Sequence, residues 1–156
     1  MIEPQQLMRL AIEKGRESIG AGQSPFACAI AKGDRVLAVE HNAVWRNTDP
    51  TAHAEINAIR HACRTLGAIF LEDCTVATTT EPCPMCMAAL HWARVREVYY
   101  GAAIADAEAA GFNELQLAAA DLLRIGKSGV KLHAGLLADE CRALFAEWKA
   151  HGGRPY

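Results

Sequence analysis

Short apolar runs alternate with longer amphipathic segments along most of this 156-residue chain. The short runs have the length and composition of buried strands, and the longer segments repeat apolar residues every three to four positions, as helices do. Only the turn-like sequence Lys32-Gly33-Asp34-Arg35 separates the first two runs, which predicts an initial hairpin. A hairpin followed by alternating helices and strands predicts a three-layer α/β/α sandwich with a mixed five-stranded sheet.

The same patterns predict five strands and five helices within one domain spanning residues 1–156. The strands are predicted at residues 26–31, 36–39, 74–79, 97–101 and 130–133. The helices are predicted at residues 7–19, 52–66, 83–93, 114–124 and 137–150. The alanine-rich stretch 102–113 is predicted to be a loop.

The composition excludes several classes of protein. Sixteen basic and eighteen acidic residues give a net charge of −2, which argues against a protein held on nucleic acid mainly by phosphate neutralisation. No apolar run approaches the ~18 residues that a membrane span needs. The first residues have neither the basic flank nor the apolar segment of a secretory signal. We therefore expect a cytoplasmic protein whose six cysteines are reduced.

Two short motifs lie at the starts of predicted helices, His53-Ala54-Glu55 and Pro82-Cys83-Pro84-Met85-Cys86. Cys83 and Cys86 are three residues apart, so their sulfurs share one face of a helix. The free backbone N–H groups at a helix start also favour thiolates over thiols. Two thiolates and the imidazole of His53 form a three-ligand zinc site with an open fourth position, which is the catalytic rather than the structural pattern.

Glu55 lies two residues after His53, so its side chain points in a different direction from the imidazole that binds the metal. A carboxylate held there can take a proton from a water and pass it to a leaving amine. The combination of H-x-E with P-C-x-x-C is typical of zinc nucleobase deaminases. The alternatives are a redox dithiol and a non-catalytic zinc module, but a structural zinc has no use for Glu55 and no second cysteine pair has the right spacing.

On these motifs the sequence resembles the cytidine/deoxycytidylate deaminase superfamily over nearly the whole chain. The stretch 48–60 is similar to the branch that holds bacterial guanine deaminases and tRNA adenosine deaminases. Glu81-Pro82-Cys83-Pro84-Met85-Cys86, His91-Trp92-Ala93-Arg94 and the stretch 106–112 resemble the guanine deaminases. The stretch 136–142 is more similar to the tRNA adenosine deaminases, although the arginine cluster at the end of those enzymes is absent.

The resemblance implies a cytidine deaminase-like fold and a set of functional residues. It implies one Zn²⁺ per chain on His53, Cys83 and Cys86, proton transfer by Glu55, and a second catalytic acid at Glu114. Guanine deaminases have an aspartate pair where this chain has Asn113-Glu114, so the carboxylate here is one methylene longer. The implied substrate-binding residues are Phe26, Asn42, Ala54, Trp92 and Tyr156, the last from a tail that closes over the base.

The resemblance further implies a homodimer that binds a small nucleobase. Leu90, Trp92 and Val95 are the predicted pairing surface. The predicted reaction is hydrolytic deamination of guanine to xanthine and ammonia. A tRNA-specific adenosine deaminase, or a deaminase of another free base, a nucleoside or a triazine, remains the alternative, because all these compounds carry an amine on a carbon next to a ring nitrogen.

Overall fold

Five strands form the sheet in the computed structural model, which describes residues 1–156. They are β1 (Ala27–Lys32), β2 (Arg35–His41), β3 (Cys74–Thr80), β4 (Glu97–Ala102) and β5 (Lys131–His133). Their order across the sheet is β2-β1-β3-β4-β5. β1 pairs antiparallel with β2 and β3, whereas β3, β4 and β5 run parallel. The predicted mixed five-stranded sheet is confirmed.

Helices cover both faces of this sheet. They are α1 (Pro4–Gly20), α2 (Val44–Asn47), α3 (Ala54–Leu66), α4 (Pro84–Trp92), α5 (Ile104–Ala109), α6 (Ala119–Ile125) and α7 (Ala138–Ala150). One core cluster joins α3, α4 and α6 to the sheet, and a second joins α1 and α7 to the opposite face. The three-layer α/β/α sandwich is therefore also confirmed. None of the helices combines the length and apolar character needed to cross a membrane.

The strand pattern explains how one sheet serves two cores. Cys28 and Ile30 of β1 pack in the cluster with α3 and α4, while the intervening Ala29 and Ala31 pack in the cluster with α1 and α7. This alternation follows from the two-residue period of a strand. All seven residues of β3 are buried, because this strand lies in the middle of the sheet.

The region between β4 and β5 differs from the prediction. Residues 102–113 contain the short helix α5, and the predicted helix 114–124 begins only at Ala119. Asp106 stabilises the start of α5 by accepting a hydrogen bond from the Ala103 N–H at 2.8 Å. Residues 110–118 have no regular secondary structure, and the side chain of Phe112 in this segment is buried in the core. The four-residue α2 was not predicted, because a single turn carries no periodic signal.

Candidate active site

The predicted functional residues meet at one edge of the sheet. Phe26 directly precedes β1, and Asn42 directly follows β2. His53 and Cys83 are the residues immediately before α3 and α4, with extended backbone angles that end the preceding loops. The edge lies beyond the carboxyl ends of β3 and β4, which is where parallel strands of α/β proteins form their ligand crevices.

His53, Cys83 and Cys86 lie close enough to hold one metal ion. The Nδ1 atom of His53 is 3.6 Å from the Sγ of Cys83 and 3.5 Å from the Sγ of Cys86. Tetrahedral coordination with a Zn–S bond of ~2.3 Å and a Zn–N bond of ~2.0 Å places these two kinds of ligand about 3.5 Å apart. The three donor atoms therefore match a zinc ion, with one coordination position left for another ligand.

The two cysteines are coupled. A hydrogen bond from Cys86 lowers the pKa of the Cys83 thiol to about 4, and the same bond together with burial raises the pKa of Cys86. The pair thus favours one thiolate, and a divalent cation between the two sulfurs favours the second.

Glu55 is held by a neighbouring strand rather than by its own helix. Glu55 is only 6% exposed, and its carboxylate accepts a hydrogen bond of 2.7 Å from the hydroxyl of Thr78 on β3. Burial raises the pKa of Glu55, and the hydrogen bond from Thr78 opposes that rise. A buried carboxylate with a raised pKa beside the metal ligands is suited to accepting and returning a proton.

Glu114 lies on the irregular segment after α5 and faces the same cavity as Glu55. Burial raises the pKa of the Glu114 carboxyl to about 7, and the charge on Cys83 adds to the shift. A carboxyl group with a pKa near neutrality exchanges protons readily at physiological pH.

The C-terminal tail covers this group of residues. The side-chain Nδ2 of Asn42 donates a hydrogen bond of 2.6 Å to the hydroxyl of Tyr156, and the Asn113 N–H donates one of 3.0 Å to the Tyr156 carbonyl. The Tyr156 ring lies 5.7 Å from the His53 ring. Further back, Arg154 stacks over Trp45 at 3.6 Å and its carbonyl accepts a hydrogen bond of 3.3 Å from the indole N–H.

The tail leaves little free volume in the site. The inner cavity measures about 20 Å³, room for about one water molecule. Its lining residues are Phe26, Asn42, His53, Glu55, Thr80, Glu81, Cys83, Glu114 and Tyr156. A second cavity of about 250 Å³ lies outside it and shares four of these residues, among them Tyr156. Tyr156 lines both cavities, and so do the metal ligands His53 and Cys83.

Residues 1–102 match the family model described as the cytidine and deoxycytidylate deaminase zinc-binding region. This chain belongs to that deaminase family. The match includes His53, Cys83 and Cys86, which the structure brings together at distances suited to zinc. The predicted zinc cofactor and the predicted aminohydrolase class are both confirmed.

Relatives of two kinds are similar to this deaminase. The guanine deaminase of Bacillus subtilis is 44% identical over 108 residues, which is 69% of each chain. The solved guanine deaminase from Nitrosomonas europaea is 32% identical, with a TM-score of 0.87 over 96% of this chain and 86% of the other. A tRNA-specific adenosine deaminase of Aquifex aeolicus is 37% identical over 95 residues, which is 61% of this chain and 63% of the relative.

The structure of the deaminase separates the predicted substrate-binding residues into two groups. Phe26, Asn42 and Tyr156 line the inner cavity. Ala54 is the first residue of α3 and is buried, so its backbone N–H is one of the free donors at the helix start. Trp92 does not line either cavity, and the residue is 78% exposed.

The structure therefore does not bring Trp92, one of the implied substrate-binding residues, to the cavities of its own chain beside the metal ligands. Trp92 ends α4 whereas Cys83 precedes it, so Trp92 lies roughly 13 Å from Cys83 and roughly 9 Å from Cys86 along the helix axis. The predicted pairing surface also needs correction. Leu90 and Val95 are buried in the core of the chain, and only Trp92 is available to a partner.

Three polar residues of the deaminase site were not predicted from the sequence. Thr78 supports Glu55, and Thr80 and Glu81 line the inner cavity. The run Thr78-Thr79-Thr80 in a fully buried strand was the available signal for Thr78, since buried hydroxyl groups need partners. Glu81 lies in the cysteine motif, but the motif alone does not reveal what its carboxylate contacts.

Proposed function

We propose that residues 1–156 form one deaminase domain that hydrolyses guanine to xanthine and ammonia. The observation that carries this proposal is the pair of carboxylates, buried Glu55 and half-buried Glu114, that line one small cavity with the metal ligands. Replacing a ring amine by oxygen requires protons to move both from the attacking water and onto the leaving amine. Glu55, whose pKa is raised, is suited to both transfers, and Glu114, whose pKa is also raised, is suited to exchanging a proton with the ring. The similarity to two bacterial guanine deaminases supports the choice of base.

The closed cavity favours a free base over a nucleoside. With Tyr156 in place, the inner cavity beside Glu55 holds about one water molecule, so a base reaches Glu55 only if the tail moves. A free base requires a smaller displacement of Tyr156 than a base that carries a ribose and phosphates. The tail hydrogen bonds at Asn42 and Asn113 are the contacts that opening has to break.

Glu55 acts as the proton shuttle in this proposal. His53, Cys83 and Cys86 would hold Zn²⁺, which would supply Lewis acidity toward a water when bound. Glu55 accepts the proton of that water, held in place by Thr78, and then delivers a proton to the departing ammonia. The net change is the loss of one amine and the gain of one oxygen by the ring.

Glu114, Asn42 and Phe26 orient the ring. Glu114 faces Glu55 across the cavity and exchanges a proton with a ring nitrogen as the carbon becomes tetrahedral. The Nδ2 of Asn42, which bonds to Tyr156 in the closed form, donates to the ring edge when the base is bound. Phe26 supplies an apolar face, fixed by edge-on contact with Phe112 at 4.8 Å.

A screen of ammonia release tests the choice of substrate. The zinc-loaded protein is offered guanine, adenine, cytosine, a diaminotriazine, guanosine and a tRNA anticodon stem-loop at equal concentrations. We expect guanine to give the highest kcat/KM. Faster turnover of the stem-loop than of any free base would replace the proposal by the tRNA adenosine deaminase alternative, which the Aquifex relative supports.

We also propose that the protein is a homodimer. Trp92 is 78% exposed at the end of α4, and a large exposed aromatic group of this kind is typical of protein interfaces. Sedimentation at micromolar concentration is expected to give twice the 16.9 kDa chain mass. A Trp92→Ser variant is expected to sediment closer to the monomer, and a wild-type monomer would contradict the proposal.

A further inference from the structure

Glu81 follows β3 and precedes the zinc ligand Cys83, yet it has no part in the chemistry described above. Its Oε2 accepts a hydrogen bond of 3.0 Å from the Ile104 N–H, and its Oε1 accepts one of 2.9 Å from the Ala119 N–H. Ile104 and Ala119 are the first residues of α5 and α6. One carboxylate therefore satisfies backbone donors at the starts of two separate helices.

The segment between these two helices, residues 110–118, carries Glu114. The Asn113 N–H bonds to the carbonyl of Tyr156 in the tail, but after Asn113 the backbone hydrogen bonds of the segment are local. On the C-terminal side of Glu114, the next backbone N–H that bonds to a distant part of the chain is that of Ala119, which donates to Glu81. If the tail opens, the hydrogen bond from Asn113 to Tyr156 is lost, and the hydrogen bond from Ala119 to Glu81 remains.

Glu81 is itself firmly placed. Its backbone N–H donates a hydrogen bond of 2.8 Å to the Ala102 carbonyl, which continues the pairing of β3 with β4. Pro82 and the zinc ligand Cys83 follow directly. The hydrogen bond between Glu81 and Ala119 therefore fixes the position of the segment that carries Glu114 relative to the metal ligands.

We propose that Glu81 is a positioning residue that holds Glu114 in register with the zinc ligands while the tail opens and closes. The proposal rests on the function proposed above for Glu114. A carboxylate suits this task because both of its oxygens accept hydrogen bonds, whereas the amide of glutamine offers one acceptor oxygen and turns N–H groups toward the second donor.

The decisive experiment is a double-mutant cycle on the zinc-loaded enzyme with guanine as substrate. Glu81→Gln is expected to lower kcat by roughly 10- to 100-fold with a smaller effect on KM, since small misplacements of a catalytic group cost rates of this order. In a Glu114→Gln background, Glu81→Gln is expected to change kcat by less than about twofold, because coupled residues are not additive.

Two further variants separate positioning from general damage. Asp106→Asn alters the other carboxylate at the start of α5, which bonds to the Ala103 N–H and has no bond to α6, and should leave kcat within about twofold of wild type. Ala119→Pro removes the second donor while leaving Glu81 intact. Proline suits the first position of a helix, and the backbone of Ala118 at φ −64 and ψ 141 accommodates a following proline. This variant is expected to reproduce the loss of kcat.

Hydrogen exchange gives a readout that does not depend on activity. Peptides covering residues 110–119 should exchange faster in Glu81→Gln than in wild type, at equal zinc content. Unchanged exchange, loss of zinc, or equal loss of kcat with and without Glu114 would overturn the role given to Glu81. A fully active Glu114→Gln enzyme would instead refute the proposed role of Glu114 as a second catalytic acid. Faster exchange in Glu81→Gln would then still show that Glu81 anchors the segment 110–119.

Discussion

The contact between Thr78 and Glu55 gives the sharpest quantitative prediction. Thr78→Val replaces the hydroxyl by a methyl group of similar size and removes the donor that lies 2.7 Å from the buried Glu55 carboxylate. A hydrogen bond to a charged group contributes about 1.5–3 kcal/mol, and one pKa unit corresponds to about 1.36 kcal/mol. The hydrogen bond from Thr78 lowers the pKa of Glu55 against the effect of burial, so its loss should raise that pKa by about one to two units.

The pH profile of kcat/KM measures this shift. Glu55 has to be ionised to accept a proton, so the acidic limb of the profile is expected to move to higher pH by about one unit or more in Thr78→Val. Below the limb the variant should be at least about tenfold slower than wild type, and above it most of the activity should return.

Thr79→Val is the matched control. The hydroxyl of Thr79 lies on the same strand and accepts a hydrogen bond of 3.1 Å from the Ala27 N–H, without contacting Glu55. This variant should lose stability by a similar amount and leave the acidic limb where it is in wild type. A limb that stays in place in Thr78→Val, or moves equally in both variants, would refute the argument that Thr78 sets the ionisation of Glu55.

Further predictions concern the metal, the shuttle and the tail. Cys83→Ala should lower bound zinc from about one equivalent to a small fraction of one by elemental analysis, because only two ligands remain; full zinc occupancy would contradict the ligand set. Glu55→Gln should keep its zinc and its circular dichroism spectrum but lose at least ~10² in turnover of guanine, and near-wild-type deamination would remove Glu55 from the mechanism. Gly153→Ala should raise KM for guanine by about tenfold at unchanged zinc content, the equivalent of ~1.4 kcal/mol, because a Cβ at Gly153 would come within 2.1 Å of the Trp148 indole and force the tail to shift. Gly129→Ala, where a Cβ meets nothing within 4 Å, is its control and should leave KM unchanged.

The metal ligands and the layered fold follow from local sequence. Cys83 and Cys86 share a face because three residues separate them at a helix start, and His53 lies at the start of another helix, so spacing alone identifies the ligand types. Strands and long helices were predictable for a similar reason, since each one carries its own period of two or of three to four residues. The segment between β4 and α6 had no such period, and its structure was predicted wrongly.

The surroundings of the ligands were decided by tertiary structure. Glu55 bonds to Thr78 across 23 residues of sequence, Asn42 to Tyr156 across 114, and Glu81 to Ala119 across 38. No local pattern predicts such pairs, because a buried polar group takes whichever partner the packing of distant elements brings within reach. Trp92 is close to the cysteines in sequence but not in the structure. Its side chain is exposed at the end of α4 that lies away from the metal ligands. The sequence by itself therefore determined which residues bind the metal, because a helix fixes the positions of residues three or four apart. The tertiary structure decided how the carboxylates are held around the metal ligands, because only the packed sheet brings together residues that are far apart in the chain.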